Sequence, residues 1–242
     1  MDKLTIEDVT DDLIVEILRL HLIQSRPVML YNTFQGMPLS IEATVAMIHP
    51  HFIGVIVHPY QAVCIREERR TYIESKSLPG LIRAYPVSID YTNQVVMLKG
   101  LKMPKSIAID LYHSWIAPER PVMVNISAKA HADVEAALCE IAVLDENQIR
   151  VAMLLPGDTP FARQDNLTLS LQLGTSDTPI VVKGEVHSLT KIRNRDQRRM
   201  EVAGRASMQD EISLLAYMGK REDQIMRSLD KVYKKLRKAK KH

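Results

Sequence analysis

Short runs in which apolar residues occupy every second position fill two long stretches of this sequence. The clearest is "LTLSLQL" at 167 to 173, where four leucines alternate with threonine, serine and glutamine. Successive side chains of a β-strand point to opposite faces, so this run predicts a strand with one buried and one solvated face. Comparable runs fill residues 27 to 98 and 120 to 206, separated by turn-forming residues. The chain is therefore expected to be mainly β.

The spacing of these runs predicts closed barrels. Roughly six or seven short strands before residue 113, in a sequence without long apolar runs, are typical of a small antiparallel barrel. The segment from 99 to 121 interrupts the alternation with prolines and lysines and holds the only tryptophan, so we interpret it as the connection between domains. The sequence predicts two small antiparallel β-barrels in tandem, over residues 26 to 113 and 114 to 209.

Helices are predicted at both ends of the chain. Residues 6 to 24 place apolar side chains on one helical stripe, which predicts a helix within residues 1 to 25; the stripe is Val9, Leu13, Ile17 and Leu20 with Leu22 or Ile23. A long helix is predicted over 210 to 242. Its stripe begins just before it, at Met208, and continues with Ile212, Leu215, Met218, Ile225, Leu229, Val232 and Leu236.

The length of the C-terminal helix raises the question of what covers it. A helix of about 30 residues is roughly 45 Å long, more than one small barrel can cover. A self-associating helix would bury the later turns, which predicts a homo-oligomer formed through this element. The alternative is that the helix packs back onto the first domain of the same chain.

The charge is unevenly distributed. The net charge is +3, and the last twelve residues carry seven basic and no acidic side chains, so the remainder is mildly acidic. A nucleic-acid-binding domain is expected to spread basic residues over a folded face with aromatics among them, which argues against nucleic acid as the partner. The basic tail is either a solvated helix end or a contact for an acidic partner, an anionic membrane or nucleic acid.

Several other classes of protein are disfavoured. No apolar stretch approaches the roughly 20 residues of a transmembrane helix, and the acidic start lacks a secretory signal, so we expect a cytoplasmic protein. Cys64 and Cys139 lie in apolar runs without metal-ligand spacing, and we expect no metal site. The sequence holds no G-x-S-x-G, H-E-x-x-H or P-loop motif, which favours a binding protein over an enzyme.

The order of elements in the second half resembles a known family. The pieces are "ERPVMV" at 119 to 124, the strand-turn-strand "CEIAVLDENQIRV" at 139 to 151, the hairpin of "LTLSLQL" and "VVKGEVHSL", and the following helix. In this order they resemble a PilZ domain, and the first half is similar to the N-terminal barrel of flagellar-brake PilZ proteins. The resemblance implies a bacterial regulatory protein in cyclic-di-GMP-linked control of motility, attachment or secretion, with a protein partner and no cofactor.

The resemblance also implies candidate ligand-binding residues. Family members hold cyclic-di-GMP with an R-x-x-x-R motif and a [D/N]-x-S-x-x-G motif, since arginine forks pair with phosphate and guanine and glycine allows close backbone approach. Here only Arg120 matches the first motif, with Ile116 four positions before it. The second motif keeps Asp145 but has Asn147 for serine and Arg150 for glycine.

These departures leave three functional hypotheses. The first is an adaptor or receptor whose nucleotide binding is weakened or lost and whose output depends on protein contacts. The second is an active cyclic-di-GMP receptor with a modified site, in which Arg150 replaces a lost contact instead of blocking the ligand. The third is a protein that binds nucleic acid or an anionic membrane through its basic tail.

A second basic cluster lies in "RNRDQRR". It is either an exposed hairpin tip or a contact for an acidic partner or nucleotide phosphates. Its arginines are Arg193, Arg195, Arg198 and Arg199.

Overall fold

The computed structural model describes residues 11 to 104, 111 to 129, 131 to 144, 148 to 173 and 178 to 239. The chain divides into two compact units, each built around one barrel. The first comprises residues 1 to 34, 38 to 112 and 226 to 242, and the second comprises residues 35 to 37 and 113 to 225.

The first unit contains a closed six-stranded antiparallel barrel with strand order β1-β2-β3-β6-β5-β4. Its elements in chain order are α1 (Asp11–Ile23), β1 (Pro27–Phe34), β2 (Met37–His49), β3 (Phe52–Ile56), α2 (Pro59–Glu68), β4 (Thr71–Glu74), β5 (Ile82–Asp90) and β6 (Val95–Lys102).

The second unit contains another closed six-stranded antiparallel barrel, with strand order β10-β11-β12-β9-β8-β7. Its strands are β7 (Met123–Ala128), β8 (His131–Val143), β9 (Ile149–Pro156), β10 (Asn166–Leu171), β11 (Ile180–Lys191) and β12 (Gln197–Ala206), and α3 (Met208–Ala239) follows them. The predicted fold class, two barrels in tandem with a helix at each end, is confirmed.

The strand alternation behaves as the sequence predicts. In β10, Leu167, Leu169 and Leu171 are buried inside the barrel, while Thr168 and Ser170 are half-buried on the other face. In β1, Val28 and Leu30 are buried and Met29 and Tyr31 are half-buried. One apolar face per strand is what closes each barrel around its own core.

One predicted strand is a helix. The strand-like runs predicted over residues 27 to 98 included "AVCIRE" at 62 to 67, but this run belongs to α2, and its four residues from Ala62 to Ile65 are all buried. The side chain of His58 accepts a hydrogen bond from the Tyr60 N–H, and Pro59 stands at the start, where its missing N–H costs nothing. A short apolar run enclosed on all sides carries no periodicity, so only these capping signals distinguish it from a strand.

The buried faces of two helices differ from the predicted stripes. In α1 the buried residues are Ile14, Leu18 and His21, whereas Leu20 is 53% exposed. In α3, Met218, Ile225 and Leu229 are buried as expected, but Leu214 is buried in place of Met208, Ile212 and Leu215, which are exposed. A helix with apolar residues on two adjacent stripes does not itself specify which stripe faces the core.

The later turns of α3 find partners within the first unit. Leu229 is fully buried, the Tyr60 hydroxyl donates to Asp230 at 3.3 Å, and Tyr60 and Tyr233 form an edge-to-face pair. These contacts agree with the alternative prediction, in which the helix packs onto the first domain of the same chain. Homo-oligomerisation through α3 stays a prediction.

Cys64 gives a testable pH dependence. It is fully buried in α2, and burial raises the pKa of its thiol to about 12, with a further contribution from Glu68. The thiol has a pKa near 9.0 in the unfolded chain and about 12 in the folded chain. Below pH 9 the thiol is protonated in both states, so its contribution to stability is fully present. As the pH rises from 9 toward 12, the thiol ionises only in the unfolded chain, and that contribution is lost.

Urea unfolding across this alkaline range should therefore show a falling free energy of unfolding. In Cys64→Ala the decline should be shallower, because the thiol no longer ionises on unfolding. Equal slopes in both proteins would contradict the assignment.

Candidate functional site

The segment that leads into β7 is held against β8. Ile116 forms an antiparallel bridge with Ile141, in which the two N–H groups donate to the opposite carbonyls at 2.8 and 2.9 Å. The Ile116 side chain is only 1% exposed. The position at which the R-x-x-x-R motif needs its first arginine therefore belongs to the hydrophobic core of the second unit.

Arg120, the remaining arginine of that motif, lies four residues later at a cavity of about 430 Å³. The cavity also includes Gln172, which follows β10, and Tyr217, Lys220 and Arg221 from α3. Arg120 is exposed and forms no hydrogen bond or ion pair with any residue that the structure describes. Its guanidinium is thus available to a ligand.

Arg221 is positioned by a chain of hydrogen bonds. Its Nε donates to the Ala117 carbonyl at 3.2 Å and its Nη1 donates to Gln224 Oε1 at 2.9 Å. Gln224 Nε2 donates in turn to Glu119 Oε2 at 3.2 Å. The loop before β7 and helix α3 are therefore joined at this cavity, and the Arg221 guanidinium has a defined orientation.

The electrostatics of the cavity favour an anion. Arg120, Lys220 and Arg221 supply three positive charges against the single carboxylate of Glu119. Burial raises the pKa of the Tyr217 phenol, an effect that Arg221 opposes. Tyr217 therefore stays protonated and offers a neutral ring and hydroxyl, so the cavity can accept a phosphate or carboxylate that carries an apolar or ring-shaped body.

The β8–β9 corner is only partly described. Asp145 and Asn147 lie outside the described residues. The Leu144 N–H donates to the Gln148 carbonyl at 2.8 Å, which closes the corner as a hairpin. Arg150 is half-buried on β9, paired in register with Ala142 and Ala203, and its Nε donates to Gln148 Oε1 at 3.2 Å.

Arg120 and Arg150 do not share one cavity. Arg150 is not among the residues that line the cavity at Arg120, and its side chain is occupied by Gln148 at the corner. Arg150 also stands where the [D/N]-x-S-x-x-G motif has glycine. Its side chain takes up space that a ligand would need in order to approach the backbone closely. Of the four predicted ligand-binding residues, Arg120 and Arg150 therefore lie in separate environments.

The arginines of "RNRDQRR" have different roles. Arg199 of β12 forms ion pairs with Glu140 of β8 at 2.7 Å and with Glu201 of its own strand at 3.5 Å, so it links β12 to β8 across the intervening strand β9. Arg193 and Arg195 are exposed beside the β11–β12 turn, and Arg198 is half-buried. Arg199 is therefore held by acidic side chains, whereas Arg193 and Arg195 are exposed.

Sequence reasoning missed the contribution of α3 to the cavity. Tyr217, Lys220, Arg221 and Gln224 recur at helical spacing in "YMGKREDQ", which places them on one face. That spacing signals a polar, cationic helix face beside an apolar one. Which loop faces it is a tertiary property that a single sequence does not contain.

Two further classes of site are absent from the described part of the chain. No group of three or more His, Cys, Asp or Glu side chains there could hold a metal ion. No helix in those residues combines the length and hydrophobicity needed to cross a membrane.

Comparison with known proteins gives structural matches only. No family model matches the sequence, and no curated protein does. Among solved structures, E. coli YcgR in complex with c-di-GMP is 10% identical, covering 92% of this chain and 95% of its own, with a TM-score of 0.43. The K. pneumonia MrkH-c-di-GMP complex is 14% identical, with coverages of 92% and 97% and a TM-score of 0.41. The Bacillus subtilis Inhibitor of motility (MotI/DgrA) is 12% identical, with coverages of 82% and 96% and a TM-score of 0.39.

Proposed function

We propose that this chain is a PilZ-type regulatory protein that acts by binding and not by catalysis. It serves cyclic-di-GMP-linked control of motility, attachment or secretion, with weakened or lost nucleotide binding at the motif positions. The observation that carries this proposal is the burial of Ile116 at 1% exposure in the bridge to Ile141. An arginine is missing there, and the position itself is part of the core.

The physical argument concerns the number of guanidinium groups. Bidentate contacts from two arginines supply much of the affinity and the geometric specificity for a phosphate or guanine edge. Here the first position is occupied by the core residue Ile116, and Arg150 fills the space that a glycine would leave at the corner. Both changes reduce affinity for a dinucleotide held in the manner of the family.

Output through protein contacts fits the exposed surface of α3. Met208, Ile212 and Leu215 stand at positions i, i+4 and i+7 and are 81%, 52% and 48% exposed. An apolar stripe on a helix surface is typical of a contact for another protein. The proposed protein is cytoplasmic and works with a protein partner.

A second candidate function is supported by the cavity at Arg120. Three cations and the Tyr217 ring form a place where a nucleotide phosphate and base could bind in a modified site. In this case the chain is an active cyclic-di-GMP receptor whose contacts come from α3 instead of a second motif arginine.

Calorimetric titration with cyclic-di-GMP tests both candidates. For the adaptor we expect no saturable heat with ligand concentrations up to about 1 mM, which corresponds to a dissociation constant above about 1 mM. Micromolar binding that is lost in Arg120→Ala and Arg221→Ala would establish the second candidate instead. Arg163→Ala is the matched control, since Arg163 is an exposed arginine of the same unit away from the cavity lining.

A further inference from the structure

A row of tyrosine and cationic side chains crosses the outer face of the first barrel. Strands β1, β4, β5 and β6 each contribute one residue, and the four are paired in register: Tyr31, Tyr72, Arg83 and Lys102. Directly opposed residues of antiparallel strands lie on the same face of a sheet. The adjacent row is fully buried in the core and consists of Leu30, Ile73 and Ile82. Because side chains alternate between the two faces of a strand, the row that begins at Tyr31 faces outward.

The same pattern continues along β5 and beside β1. Tyr85 pairs in register with Lys99 of β6. Tyr112 packs edge-to-face against Tyr31, with the ring centres 5.7 Å apart. Tyr85 is 39% exposed and Tyr112 is 62% exposed, so a ligand can reach both side chains. Four of the eight tyrosines of the chain therefore lie on or beside this face.

Two arginines of this face lie over tyrosine rings. The Cζ atom of Arg83 is 5.4 Å from the ring centre of Tyr85, and that of Arg70 is 5.8 Å from the ring centre of Tyr72. A guanidinium over a ring is held in place while its N–H groups can still pair with a phosphate. Neither arginine side chain forms a hydrogen bond or an ion pair with the residues that the structure describes. Both cations thus retain their pairing capacity for a ligand.

Strands β5 and β6 give this face its positive charge. Their cations are Arg83, Lys99 and Lys102. The acidic residue of these two strands is Asp90, which lies at the far end of β5 and accepts hydrogen bonds from the turn that follows. On β4, the carboxylate of Glu74 accepts a hydrogen bond from the Tyr31 hydroxyl at 2.5 Å. The cations around Tyr85 therefore outnumber the acids of their own strands, which favours an anionic ligand.

Single-stranded nucleic acid is the anion whose chemistry matches this arrangement. Its phosphates pair with arginine and lysine, and its unpaired bases stack on accessible aromatic rings. A duplex keeps its bases stacked inside and presents only their edges in the grooves, so exposed rings would contribute little to binding it. An anionic membrane is attracted by cations alone and requires no rings between them. Neighbouring strands lie about 4.8 Å apart, so a row across four strands spans about 14 Å and can contact more than one nucleotide.

We propose that the outer face of β4, β5 and β6 binds single-stranded nucleic acid, with a base stacked on Tyr85 and with Arg83, Lys99 and Lys102 contacting phosphates. The residues that form this face are spread between positions 31 and 112, so only the strand pairing brings them together. The site belongs to the first barrel alone. It does not depend on whether the second barrel binds cyclic-di-GMP.

Fluorescence anisotropy with the full chain tests this proposal. The probe is a labelled oligothymidylate of about 12 nucleotides, within the site sizes of small barrels that bind single strands. The comparisons are an abasic strand of the same length, which keeps the phosphates and lacks the bases, and a duplex of the same length. We expect saturable binding of the oligothymidylate. The abasic strand should bind about tenfold or more weakly because it cannot stack, and the duplex should also bind more weakly.

Two variants separate stacking from charge. Tyr85→Leu keeps an apolar side chain, and it should lower the affinity for oligothymidylate about tenfold while leaving binding of the abasic strand unchanged. The double variant Lys99→Gln/Lys102→Gln removes two phosphate contacts. It should reduce the slope of log affinity against log salt concentration by about 1.4, since each contact to a single strand contributes about 0.7.

The matched control is Lys235→Gln/Lys238→Gln, at two exposed lysines of α3. This variant should leave the preference for oligothymidylate over the abasic strand unchanged. Equal affinity for these two strands, or tighter binding of the duplex, would overturn the proposal. A salt slope that falls in the α3 variant and not in Lys99→Gln/Lys102→Gln would assign the binding to the basic tail and overturn it as well.

Discussion

Replacing Gly184 with alanine is expected to lower the free energy of unfolding of the second barrel by about 3 kcal/mol. Gly184 of β11 pairs in register with Gly204 of β12. A Cβ at Gly184 would collide with the Ala203 carbonyl oxygen and would lie 2.6 Å from Gly204 Cα. Both are backbone atoms of the paired strand, so the clash cannot be relieved by a side-chain rotation.

The matched control is another glycine-to-alanine change in the same unit. Gly219 lies within α3 and a Cβ there would meet nothing within 4 Å. Because glycine weakens a helix interior, Gly219→Ala should raise stability by about 0.5 to 1 kcal/mol. Urea unfolding followed by circular dichroism measures the free energy of unfolding of both variants. If Gly184→Ala were as stable as the unchanged protein, the paired strands would have to move apart locally without loss of stability, which would contradict the prediction.

The barrels were predictable because their signal is local. Alternation such as that of Leu167, Leu169 and Leu171 specifies both a strand and its buried face, and antiparallel neighbours need only short turns between them. The helix α2 was not predicted, because the run from Ala62 to Ile65 is buried on every side and carries no period. The two residues that mark the start of this helix are His58 and Pro59. The same two residues also occur in turns between strands, so they do not predict a helix by themselves.

The candidate site was predictable only in part. The motif comparison predicted Arg120 as a ligand-binding residue; that role stays a prediction, and the structure places Arg120 in the lining of a cavity. The helix residues Tyr217 and Lys220 reach the same cavity from far along the chain, a contact that depends on how α3 packs. The buried bridge between Ile116 and Ile141 is likewise a tertiary feature. The sequence shows only that the motif arginine is missing at position 116, whereas the structure shows that this position belongs to the core.

The histidine of α1 illustrates the same limit. His21 reads from sequence as a basic residue in the last turn of a helix, where it would favour the helix dipole. In the structure it takes a buried position, while Leu20 and Ile23 are 53% and 70% exposed. The buried face of α1 is therefore rotated from the predicted stripe.

The largest stability effect expected in the first barrel comes from a buried polar network around Glu68. Asn32 of β1 is fully buried, and its Nδ2 donates to Glu68 Oε2 at 2.5 Å and to the Arg70 carbonyl at 2.7 Å. The N–H of Thr33 donates to Glu68 Oε1 at 3.0 Å, and the Thr33 hydroxyl donates to the same oxygen. Gln61, also fully buried, donates to Asn32 Oδ1 at 2.8 Å.

Glu68→Ala removes three of these hydrogen bonds at once and should lower the free energy of unfolding by about 3 kcal/mol, since bonds to charged groups are strong and the buried donors lose their acceptor. Glu68→Gln should cost less, about 1 to 2 kcal/mol, because its amide retains one acceptor oxygen. Exposed Glu67→Ala should change stability by less than about 0.5 kcal/mol.

Amide hydrogen exchange locates the effect as well as its size. In Glu68→Ala, protection should fall first at Thr33, whose N–H loses its acceptor, and then along β1 and α2, which the carboxylate joins. If Glu67→Ala lowered the free energy of unfolding as much as Glu68→Ala, the loss of one negative charge would explain the result. The hydrogen bonds to Glu68 would then not be its cause. Urea unfolding that separates the two variants by at least about 2 kcal/mol would show that the hydrogen-bonded carboxylate itself stabilises the first barrel.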